Sequence, residues 1–114
     1  MAEKYSIKVN AGKKVVDMFV GGSFTPIDVQ NFVKDYQNIV ASIDVSSYQL
    51  IIDCTTMDLL TQEMVPSLEN SYRMYKESGF EKVTFAIKEN TILKMQLSRL
   101  ARKTGLTNAE VVNV

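Results

Sequence analysis

The stretch from Ile51 to Met64, IIDCTTMDLLTQEM, holds two aspartates, a glutamate, three threonines and the only cysteine of the chain. A carboxylate at the end of a strand could bind Mg²⁺ or accept a phosphoryl group, so Asp53 and Asp58 are the candidates for an enzymatic role. Thr55, Thr56 and Thr61 could accept a phosphate. Threonine hydroxyls also bond readily to nearby backbone, and the plainer reading of this segment is a strand-to-helix corner built by that local chemistry. The chain contains no histidine. That removes Ser-His-Asp and Cys-His catalysis as normally built, together with histidine-based metal sites. Cys54 has no histidine to activate it and reads as a small core residue.

Elements on either side must position this corner. Tyr48 to Cys54 is a short apolar run, and Leu50-Ile51-Ile52 lacks alternation, which predicts a central strand covered on both faces. After the corner, Met64, Leu68, Tyr72 and Tyr75 recur at helical spacing. Pro66 belongs in the first turn of that helix, where its missing N–H costs nothing, and Ser78-Gly79 ends it. Upstream, Tyr5, Ile7 and Val9 alternate with polar residues. Asn10-Ala11-Gly12 signals a turn, and Lys13 to Val20 reads as a second strand, giving an opening hairpin. Gly21-Gly22 matches no phosphate loop or dinucleotide fingerprint and serves backbone geometry. Thr25-Pro26-Ile27-Asp28 opens a helix whose buried face is Val29, Phe32, Val33, Tyr36, Val40 and Ile43. Lys82 to Ile87 is a strand with Val83, Phe85 and Ile87 on one face. Thr91 is placed as the cap of a third helix with Leu93, Leu97, Leu100 and Ala101 inward and Gly105 as its terminator. Ala109 to Val114 forms a short last strand. The order β-β-α-β-α-β-α-β predicts one α/β domain over residues 1–114, with a parallel core sheet, right-handed crossovers and an antiparallel edge from the hairpin.

Composition fits a globular domain: 114 residues, 46% hydrophobic and 23% charged. A single cysteine suits a reducing cytoplasm. MAEKYSIKV has no apolar signal core, and no apolar run reaches the length of a membrane span. Zero net charge argues against bulk nucleic-acid binding. The charges are nevertheless segregated. From Val45 to Tyr72 there is no Lys or Arg but there are Asp53, Asp58, Glu63 and Glu69, whereas from Glu81 to Lys103 six cations, Lys82, Lys88, Lys94, Arg99, Arg102 and Lys103, stand against Glu81 and Glu89. The plainer reading is two solvated faces; the functional one is an acidic patch near the Asp53–Glu63 corner that meets a protein partner with a basic surface. The third helix's cations do not form one stripe and lack aromatic anchors, as a groove-binding or membrane-surface role would require. A receiver-type phosphotransfer site would need an acidic pair after the first strand, where Gly21-Gly22 stands instead.

The segments YQLIIDCTTMDLLTQEM, SLENSYRMYKESGFEKVTFAI and ILKMQLSRLARKTGL resemble, in pattern, the central strand and corner, the following helix and strand, and the last helix of the STAS domain. This is the SpoIIAA-like fold of bacterial anti-sigma factor antagonists. The resemblance implies a mixed four- to five-stranded sheet with an N-terminal hairpin and about three packed helices. It also implies a non-enzymatic regulatory protein–protein interaction module of bacterial or phage origin that needs no cofactor. The family's phosphorylatable serine opens the second helix, where this chain has Thr61, Gln62, Glu63 and Met64. The usual switch is therefore missing, and Glu63 brings a fixed negative charge near the place where a phosphate would add one. The docking surface implied for this chain comprises Asp53, Asp58, Leu59, Leu60, Thr61 and Glu63, an apolar pair framed by acids. The alternatives are a small-ligand or lipid carrier with a pocket between sheet and helices, as some relatives are, and a small enzyme using Asp53 and Asp58.

Overall fold

In the computed structural model of the chain, which describes residues 5–20, 26–55, 62 and 65–114, five strands and three long helices follow the predicted order. Strands β1 (Tyr5–Asn10), β2 (Val15–Val20), β3 (Gln49–Asp53), β4 (Lys82–Ile87) and β5 (Ala109–Asn113) lie side by side in sequence order in one sheet. β1 is antiparallel to β2, and the other three pairings are parallel. Helices α1 (Pro26–Ser42), α2 (Val65–Ser78) and α3 (Thr91–Thr104) make the crossovers.

Each parallel strand is added on the same side of the one before it. With crossovers of one hand, that progression puts every helix on the same face of the sheet. Packing agrees. Phe32 of α1 meets Tyr5 edge-on, Tyr72 of α2 stacks on Phe85 with ring centroids 4.8 Å apart, and the Tyr72 hydroxyl donates to the Leu97 carbonyl of α3. The sheet face beneath the helices is Val16 and Met18, Leu50 and Ile52, Val83, Phe85 and Ile87, all buried. On the other face Ile51 stands in a row with Asp17 and Thr84, and it is only partly buried. This corrects the expectation that β3 is covered on both faces. Its apolar run is one buried row, Leu50 and Ile52, with the partly buried Ile51 between them on the face that no described helix covers.

Aromatic rings fill the space between α1, α2 and the sheet. Tyr36 packs against Tyr75 and Phe80, and its hydroxyl lies 2.7 Å from Ser78 Oγ, which ties α1 to the end of α2. At about 25 cal/mol per Å² of apolar surface removed from water, rings of this size are the main contributors to the core.

Several local expectations are met and some shift. Pro66 sits in the first turn of α2, and Gly79 ends that helix with φ 84°. Gly105 is left-handed at φ 76°, and Leu106 N–H reaches back to the Ala101 carbonyl, a Schellman-type closure. The cap of α3 is Asn90, not Thr91: Asn90 Oδ1 accepts the Leu93 N–H at 3.0 Å. Two adjacent cap-competent residues leave a one-residue ambiguity that the sequence does not resolve. In the hairpin turn Lys14 is left-handed, φ 57°, and β2 begins at Val15 instead of Lys13. A short 3₁₀ turn, Val45–Ser47, was not foreseen; the Asp44 carboxylate accepts from Ser46 and Ser47 there. Thr25, Gly21-Gly22 and Met64 lie outside the described residues.

Candidate functional site

β3 is the middle strand of the sheet, and Asp53 is its last residue, between Phe19 of β2 and Ala86 of β4. Open parallel sheets present their ligand-facing residues at this carboxyl end. The chain leaves the strand under tight local control. Cys54 N–H continues the ladder to the Ala86 carbonyl at 2.8 Å. Thr55 then folds back, and both its N–H and its hydroxyl donate to Asp53 Oδ1, at 2.9 and 2.6 Å. This is an aspartate-centred turn: the side chain replaces a backbone acceptor and fixes the direction of the exit. Two donors on one oxygen also hold the carboxylate in place. Its other oxygen, Oδ2, makes no hydrogen bond to a described residue.

Beneath the turn Cys54 is 3% exposed. Burial, with a smaller contribution from the Asp53 charge, pushes its thiol up to about 12. The thiolate needed for nucleophilic or redox chemistry is therefore strongly disfavoured. Cys54 is a core residue, as its surroundings in the sequence indicated.

Of the residues placed at the docking corner, the structure positions Asp53. Asp58, Leu59, Leu60, Thr61 and Glu63 lie outside the described residues, as does Thr56. Where description resumes, Gln62 is exposed and α2 begins at Val65. The last acid of the lysine-free stretch, Glu69, faces α3 and pairs with Lys103 at 2.9 Å and with Arg73 at 3.6 Å. Glu69 thus belongs to a helix–helix contact rather than to an open acidic surface. Among the described residues, no group of three or more His, Cys, Asp or Glu side chains gathers to hold a metal ion, and no helix is long and apolar enough to cross a membrane.

The cations of the second half separate in the structure. Lys103 turns to α2, and Lys82 pairs with Glu110 of β5 at 2.7 Å. Arg102 makes no ion pair with a described residue and lines a groove of about 360 Å³ between α3 and β5. The sequence reading did not point to this groove. The available signal was an acid-free, cation-rich helix followed directly by a terminal strand. The chain matches no family model and no curated protein.

Proposed function

We propose that the chain is a non-enzymatic, cytoplasmic protein-interaction module of STAS-like type. Its docking surface is the corner after β3, comprising Asp53, Asp58, Leu59, Leu60, Thr61 and Glu63. The observation that carries this reading is the turn at Asp53. Two donors from Thr55 fix one carboxylate oxygen at the end of the middle strand, while the other makes no bond to a described residue. A single rigidly held charge suits recognition of a basic partner group. Acid–base or nucleophilic chemistry needs several polar groups converging on one reacting atom. Further support comes from the element order, on which the family resemblance rests.

Affinity capture from the native host tests the surface, with a Leu60→Asp, Glu63→Lys variant as control. The expected result is a specific protein retained by the natural sequence and lost by the variant. Recovery of the same proteins by both, or of the bait alone, would remove the corner as a docking surface.

A further inference from the structure

Among the described residues β5 is an edge strand of the sheet, and its outer side is chemically defined. Val83 N–H bonds the Asn108 carbonyl at one end of the strand, and Val114 N–H bonds the Ile87 carbonyl at the other. Residues 108 and 114 therefore face β4. Because a strand alternates, the backbone N–H and C=O groups of Ala109, Val111 and Asn113 point away from the sheet. The usual protections of an edge are a lysine, a proline or a bulge. The strand AEVVN has no lysine or proline, and its one charge, Glu110, is engaged by Lys82. Beside this edge lies the groove of about 360 Å³, with Ala101, Leu106, Ala109 and Val111 as its apolar floor and Ser98 and Arg102 from α3 along its rim.

We propose that this edge and groove take an extended, acidic segment of another protein by strand addition. The outward backbone groups of Ala109, Val111 and Asn113 pair with the incoming strand. Alternate apolar side chains of that strand enter the groove, and a carboxylate meets the Arg102 guanidinium. Charge selects this occupant over a second copy of the chain. Strand pairing of two β5 edges about a two-fold axis would bring α3 toward its own image. Arg102, which lines the groove beside this edge and makes no ion pair with a described residue, would be carried toward its own image, and the like charges would repel. This surface is separate from the corner after β3 and stands or falls without it.

The probe is a capped seven-residue peptide with threonine at even positions and valine at odd positions, in which glutamate replaces the third valine. A lysine version serves as the control. In titrations followed by amide NMR, the glutamate peptide is expected to shift the signals of Ala109, Val111 and Asn113 with a Kd below about 1 mM, and the lysine peptide to bind at least about tenfold more weakly. Val111→Pro deletes an outward donor while leaving the β4 ladder intact, and it should weaken binding at least about tenfold. Arg102→Glu, on an exposed side chain, should reverse the preference between the two peptides, and it decides the matter if the proline variant fails to fold. The proposal is overturned if the glutamate peptide leaves those amides unmoved at about 1 mM. Binding unaffected by both variants would overturn it as well. A concentration-dependent dimer that Val111→Pro abolishes would assign the edge to a second copy and also refute the acidic partner.

Discussion

Replacing Asp53 by alanine and by asparagine separates the turn's architecture from its charge. Asp53→Ala removes the acceptor of both Thr55 donors. Hydrogen bonds to a charged group contribute about 1.5–3 kcal/mol when intact. Asp53 is partly buried, so water replaces some of what is lost and the lower half of that range applies, about 1.5–2 kcal/mol. Asp53→Asn keeps an oxygen where Oδ1 stands and loses only the charge assistance, which should cost less than about 1 kcal/mol. Thr55→Val removes the hydroxyl bond alone. A double-mutant cycle between Asp53→Ala and Thr55→Val should then return a coupling of about 1 kcal/mol. Urea denaturation gives the free energies, and an unchanged slope shows that the unfolded state has not altered. In thermal melts the alanine variant should fall by roughly 5–10 °C for a chain of this size. An alanine variant within about 0.5 kcal/mol of the natural protein, or an asparagine variant as damaged as the alanine one, would refute the account of the corner given above.

Three further outcomes follow from the core and the helix ends. Stability should decline under alkaline conditions: the Cys54 thiol and the Tyr36 hydroxyl are each pushed up to about 12, chiefly by burial, so the unfolded chain releases these protons first. Their contribution is complete below about pH 9 and is lost as pH rises toward about 12, which urea midpoints across that range will show as a steady fall. Gly79→Ala and Gly105→Ala should each cost about 1–2 kcal/mol, the penalty of a left-handed residue with a Cβ. At Gly79 no atom lies within 4 Å of the new carbon, and at Gly105 only the flexible end of Lys76 is close, so a far larger loss at either site would mean that the chain path is different. Asn90→Ala should cost about 1 kcal/mol and Thr91→Ala clearly less, since Asn90 supplies the capping oxygen; the reverse order in denaturation experiments would return the cap to Thr91.

What could be read from the sequence depended on the range of the interactions involved. Val83, Phe85 and Ile87 alternate because one face of β4 is buried, and Leu93, Leu97 and Leu100 repeat because one face of α3 is; both patterns are local, and both are observed. Gly105 followed by Leu106 likewise announced a helix end. Leu50-Ile51-Ile52 misled because an apolar residue in the middle of a sheet looks the same whether or not a helix covers it. Only the order of the strands, set by contacts remote in sequence, shows that Ile51 lies on the face away from the helices. The Tyr36–Ser78 contact is long-range in the same way. At the corner, Asp53 and Thr55 act on each other at short range, and turn chemistry was legible there.

The unbroken order of the sheet has a consequence for how the chain emerges from the ribosome. No strand is inserted between two that precede it, so each new strand meets its partner already made, roughly 30 residues upstream across one βαβ unit. Synthesis at about 5–20 residues per second allows seconds for each unit to settle before the next appears. Assembly can therefore run in the direction of translation, growing from the hairpin outward, and each described strand joins without displacing one already in place.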